Sequence, residues 1–286
     1  MRKTLMLVLL ILLVPIKGFS ACSGSGCCTI SSGVVTWPDN SSCSLEPDDY
    51  GITMFNMYLC TSEPSAPTTS AAAGLTAAGC VMVFESTSGS AVTVTSSGSS
   101  TAFPGATFYR PAPGTYTHGY MLIDNVFRIK FDKEFNTSIT GGSSGTGKYC
   151  ATKDGSANED TGGAVVCSSS DNLTAGTWGA ILTSFDGVSS FDATATMTNL
   201  NGTGANISGY LVESDGTLGS SNSDVDKLVG IQSFATAVKI TKDLKSFDVK
   251  FGVNQGTTIW DDAGAGGNTI EAGSGPFQAI ITPINY

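Results

Sequence analysis

Two runs of strict two-residue alternation limit what this chain can fold into more than any other feature. Phe127, Ile129 and Phe131 alternate with Arg128, Lys130 and Asp132, and Phe247, Val249, Phe251 and Val253 alternate with Asp248 and Lys250. A period of two sends successive side chains to opposite faces, so each run reads as an antiparallel strand with one buried and one wet face. Further β-rich runs recur at Tyr50–Cys60, Cys80–Phe84, Ala91–Thr95, Thr115–Ile123, Asn125–Phe135, Ala180–Phe185, Ile207–Val212, Leu228–Ile240, Ser246–Val253 and Phe277–Ile284. Asp154-Gly155, Asp186-Gly187, Asn201-Gly202 and Asp215-Gly216 suit the positive φ angles of tight hairpins. Helical spacing is thin, confined to Ser70–Ala78, which Gly74 interrupts, and to Asp224–Phe234. The expected class is all-β: an antiparallel β-sandwich, jelly-roll or Ig-like, with long Gly/Ser-rich loops and disulfide stabilisation.

The two ends of the chain bear on where it works. Arg2 and Lys3 precede an apolar run, Leu5–Ile16, and Gly18 and Ser20 offer small residues for a cut after Ser20. This reads as a signal peptide over residues 1–20, with a retained anchor as the alternative. Residues 21–48 form a cysteine-rich arm and residues 49–286 the β-sandwich domain, either one unit or two abutting sheets. All eight cysteines, Cys22, Cys27, Cys28, Cys43, Cys60, Cys80, Cys150 and Cys167, follow the signal. An even number in an exported chain reads as disulfides. Proximity favours Cys60 with Cys80 and Cys150 with Cys167, leaving the four N-terminal cysteines to pair among themselves. A lipid anchor on Cys22 competes with that pairing. The expected location is the extracellular space or outer cell surface, with the periplasm as an alternative.

Charge excludes several functions. The chain carries a formal net charge of −10 with only 13% charged residues, and removing the signal leaves 11 basic against 24 acidic residues. Nucleic acid is therefore not an expected partner, since phosphate binding needs a basic footprint. Nor is nucleotide: Gly142–Lys148 fits most of a phosphate loop, but Tyr149 stands where a Ser or Thr should meet magnesium. Gly141–Gly145 matches the G-x-S-x-G pattern inside what reads as a flexible Gly/Ser loop. His118 is the single histidine, so any imidazole base would have to be this residue, and it reads more simply as a strand residue among Tyr116 and Tyr120. No catalytic residue and no cofactor is expected. Two acidic groups, Asp215, Asp224 and Asp226 with Asn222, and Asp261 and Asp262 with Glu271, are oxygen donors suited to calcium in a non-standard loop.

Pro64–Tyr109 carries only Glu85 as a charge, and Ala263–Tyr286 only Glu271, which marks both as contact surfaces. Lys239, Lys242, Lys245 and Lys250 instead suit the protection of an edge strand. Three stretches, Tyr50–Cys60, Pro113–His118 and Ser246–Phe251, together resemble exported, Ser/Thr/Gly-rich proteins of marine alphaproteobacteria. That resemblance implies a bacterial envelope or extracellular location and supplies no catalytic residues. The expected function is a non-enzymatic, self-assembling cell-surface subunit that adds Thr29–Trp37 or Phe277–Tyr286 as a strand to a second copy. The alternative is an adhesin or glycan-binding module using Tyr116, Tyr120, Trp178 or Trp260. An outer-membrane barrel ending at Tyr286 and a secreted hydrolase are further alternatives.

Overall fold

The computed structural model describes residues 26–95, 103–185, 190–198, 204–262 and 268–286; the signal segment and Cys22 lie outside them. Among the described residues the chain is all-β, with a single 3-10 turn at Glu159–Thr161 and no α-helix. The first strands are β1 (Ile30–Ser31), β2 (Val34–Val35), β3 (Ser42–Leu45), β4 (Asp49–Cys60), β5 (Val81–Thr95), β6 (Thr107–Phe108) and β7 (Gly114–Asp124). The middle of the chain forms β8 (Val126–Lys130), β9 (Asp132–Gly141), β10 (Thr146–Thr152), β11 (Gly155–Asn158), β12 (Val165–Ser168), β13 (Trp178–Ile181) and β14 (Asp192–Thr198). The last are β15 (Gly204–Val212), β16 (Lys227–Ile240), β17 (Leu244–Gly252), β18 (Thr257–Asp261), β19 (Thr269–Ser274) and β20 (Gln278–Asn285).

An eight-stranded sheet runs β1-β2-β9-β19-β18-β3, with β10 on β9 and β12 on β10. A ten-stranded sheet runs β11-β13-β8-β4-β7-β16-β15-β14, with β5 on β4 and β6 on β5, and β17 and β20 pair separately as a ribbon. Both large sheets curl into half-barrels. One apolar cluster, including Leu45, Tyr50, Phe127, Ile129, Phe135, Ile259 and Phe251, spans the two sheets and the ribbon. The ten-stranded sheet buries its other face as well, where Cys60, Ala78, Tyr120, Val229 and Ile231 make a second, smaller cluster.

Several expectations change here. Asn125–Phe135 is two strands, because the chain crosses between sheets at Phe131. There Thr152 takes over the backbone pairing: its N–H donates to the Phe131 carbonyl at 3.0 Å and its Oγ1 accepts from the Phe131 N–H at 3.1 Å. The runs expected at Cys80–Phe84 and Ala91–Thr95 belong, from Val81 on, to one strand, β5, which continues through Gly89 at φ 80°. Asp224–Phe234 is not helical. Its spacing comes from a strand buried on both faces, with Leu228 in the main cluster and Val229 and Ile231 in the second. Asp154-Gly155 is no hairpin: it carries the chain from β10 in one sheet to β11 in the other. Asp215-Gly216 is one, with the Gly216 N–H donating to the Glu213 carbonyl. Thr29–Trp37 is not free. Val34 and Val35 pair with Glu134 and Phe135, and Trp37 is buried edge-on to Phe135.

Disulfides join Cys28 to Cys43, Cys60 to Cys80 and Cys150 to Cys167, and Cys27 is also disulfide-bonded. Bonds of this kind belong to an oxidising compartment. Among the described residues no helix is long and apolar enough to cross a membrane.

Candidate functional site

A cleft of about 690 Å³ lies between the ten-stranded sheet and the β18 side of the eight-stranded one. Its floor follows from strand alternation. On β7, Met121 and Ile123 face the cleft while Tyr120 packs in the second cluster; on β16, Leu228, Gly230 and Gln232 face it while Val229 and Ile231 do not. Gly209, Gly230 and Met121 stand side by side across β15, β16 and β7. A Cβ built on Gly230 would meet nothing within 4 Å. The missing side chain is therefore part of the cleft's volume, at a position where strand propensity alone favours a larger residue. Phe127, Leu182, Phe185, Ile207 and Phe277 complete an apolar lining.

The opposite wall is β18. Thr258, Trp260 and Asp262 line the cleft at alternate positions, while Ile259 between them is fully buried. Glu159 joins this wall from the 3-10 turn. Its carboxylate accepts from the Ser274 N–H at 2.7 Å and the Ser274 hydroxyl at 2.6 Å. At the base, Phe277 packs on Tyr50, Phe127 and Phe251, and the Tyr50 hydroxyl donates to the Gly275 carbonyl at 3.1 Å. Burial pushes the Tyr50 hydroxyl well above its ordinary range, and the nearby Glu159 charge adds to this.

Of the four aromatic candidates, Trp260 alone lines the cleft. Trp178 is buried in the main cluster, with the Lys153 ammonium 5.5 Å from its ring. Tyr116 is buried and donates to the Ala112 carbonyl at 2.8 Å. Tyr120 meets Tyr58 edge-on in the second cluster, and burial raises its hydroxyl to about 12. These three are core residues.

Most of the acidic residues are tied into local hydrogen bonds. Asp215 accepts from the Thr217 N–H and hydroxyl, which holds its carboxyl below the usual range. Asp224 accepts from Ser220 and Ser223, and neighbouring serine hydroxyls lower it in the same way. The Asp226 N–H donates to the Val212 carbonyl, and Asp261 accepts from the Thr269 and Asn40 N–H groups. Asp262 is exposed at the cleft mouth. Glu271, buried, accepts from the Gly163 and Ala164 N–H groups; burial raises its carboxyl and those two donors oppose the rise. Among the described residues no three His, Cys, Asp or Glu side chains converge at metal-binding distance.

The Gly141–Gly145 loop is pinned rather than flexible. Gly142 and Ser143 N–H groups donate to Ile270 and Val165 carbonyls, the Cys167 N–H donates to Ser144, and the Lys153 ammonium donates to the Ser143 hydroxyl at 2.7 Å. His118 shares a 2.9 Å hydrogen bond with Thr117 on the same strand. The glycines of the floor were not legible as site residues, since their role depends on the register of three strands distant in sequence. Compared with protein-family models, curated proteins and solved structures, the chain gives no match, so the site rests on its own geometry.

Proposed function

We propose that this chain is an exported, non-catalytic binding protein that holds an apolar or amphipathic small molecule in the cleft between its two curled sheets. The observation that carries this reading is the open position above Gly230, framed by an apolar floor and faced by Trp260. Pockets of this volume and lining are the usual form of small-molecule sites. Export rests on the signal pattern at residues 1–20 and is supported by the disulfides. In the same reading the two sheets, sharing one core, are the layers of a sandwich opened on one side. Gly230→Leu tests it. The new side chain enters open space, so the fold should persist by circular dichroism while the affinity for decanol, read from Trp260 fluorescence, falls at least tenfold. Wild-type binding of decanol that Gly230→Leu leaves unchanged would refute the site.

A second reading, self-association, has its own support. Of the five large apolar side chains exposed among the described residues, Phe108, Tyr109, Ile284 and Tyr286 fall in the two nearly uncharged stretches. Among the described residues strand β20 pairs with no strand but β17, and its other edge meets the Gln232 side chain at Ala279, which leaves Ile281–Asn285 as the stretch for strand addition. Sedimentation velocity should show a concentration-dependent larger species that Phe108→Asp with Ile284→Asp abolishes; a monomer at all concentrations discards this reading.

A further inference from the structure

We propose that the ligand of the cleft is an amphipathic cation, with its apolar body on the floor beside Gly230 and its positive head against Trp260. This rests on the cleft reading above and adds the charge class of the occupant. Among the described residues, the charged ones lining the cleft are Glu159 and Asp262, and no lysine or arginine lines it. Their placement follows from strand geometry. Trp260 lies on β18 and Asp262 is the residue just past its end, two positions on, which is about 7 Å along an extended chain. Glu159 is fixed to Ser274, whose strand partner is Thr257 on the other side of Trp260. Both carboxylates line the same cleft as the indole.

Three physical effects act in the same direction. A cleft lined by charge of one sign concentrates the opposite ion and repels its own. A tryptophan face attracts a cation more strongly than any other side-chain ring. The chain as a whole carries a formal net charge of −10, so the long-range field also favours a cation. A fatty acid would instead bring a third carboxylate to this cleft, with no basic residue among the described lining to receive it.

The test compares three probes of one chain length, decyltrimethylammonium, decanol and decanoate, each below its micelle concentration, by calorimetry on the full oxidised protein. The cation should bind about tenfold more tightly than decanol, decanoate should bind most weakly, and added salt should narrow the spread. Asp262→Asn, at an exposed position that leaves the core untouched, should reduce the cation's advantage over decanol, and adding Glu159→Gln should bring the ratio close to one. If decanol binds as tightly as the cation, the charge inference falls while the cleft reading stands. If no probe binds, or if Gly230→Leu leaves all three affinities unchanged, the cleft reading itself falls.

Discussion

Glu46 shows how one residue can make the fold sensitive to pH. It lies half-buried between β3 and β4, where burial pushes its carboxyl up to about 7, against the pull of the Lys133 ammonium and with some help from Asp48. Lys133 itself is engaged by Asp48, whose other oxygen accepts from the Asp132 N–H at 2.8 Å. In the unfolded chain Glu46 ionises near 4.5. Between that value and about 7 the folded state binds more protons, so stability fully present below the lower value is lost as pH rises through the upper one. Glu46→Gln keeps the neutral form at every pH. Solvent at this half-buried site screens part of the shift, so the variant should gain about 1 kcal/mol at pH ~8 and nothing at pH ~4. Thermal melts at the two pH values check this, and an equal offset at both would assign the effect to packing. Nothing in the sequence around Glu46 announces it. Trp260 was legible as a binding candidate from its chemistry alone, whereas Gly230, which lines the same cleft, was not, because a glycine in a strand means something only once its neighbours are known.

At the scale of elements, legibility followed the apolar period. β4, β7, β16 and β17 were readable because their large residues alternate or run continuously. β11 and β19 were not, since their Ser, Ala and Gly leave no clear period to detect; tertiary pairing holds them extended. β19 pairs with β18 on one side and runs parallel to β9 on the other. The link between β16 and β20 is equally invisible in sequence. The Gln232 side-chain amide donates to the Ala279 carbonyl at 2.8 Å, and its oxygen accepts from the Ala279 N–H at 2.8 Å. All of these groups are buried, so one side chain replaces a rung of a strand ladder and ties the ribbon to the ten-stranded sheet. Gln232→Ala leaves both Ala279 groups unpaired, at a cost of about 2–4 kcal/mol. Hydrogen exchange should then rise along Gln278–Asn285 and Leu244–Gly252 while β4 and β7 stay protected. Uniform deprotection would mean that the ribbon and the sheet unfold as one unit.

Across the whole molecule, one core joins two sheets whose strands come from distant parts of the chain, and the Cys28–Cys43 and Cys150–Cys167 disulfides are buried within it. The loops closed by Cys28–Cys43, Cys60–Cys80 and Cys150–Cys167 are alike in length, with separations of 15, 20 and 17 residues. In the chain-entropy model each therefore contributes about 3 kcal/mol, with little difference between them. What differs is the structure each one anchors. Cys150 and Cys167 are directly opposed on β10 and β12. Cys28 and Cys43 join the N-terminal strands to β3, which pairs with β18 beside the cleft. Cys60 and Cys80 close residues 61–79 over the second cluster, away from the cleft. Replacing each pair by alanine should lower the denaturant midpoint by similar amounts, but only loss of Cys28–Cys43 should weaken decanol binding under native conditions, because only that bond fixes the strand next to Trp260. Loss of Cys60–Cys80 should instead deprotect residues 61–79 in hydrogen exchange and leave the affinity intact. Equal loss of binding in all three variants would show that the cleft depends on global stability rather than on the placement of β18.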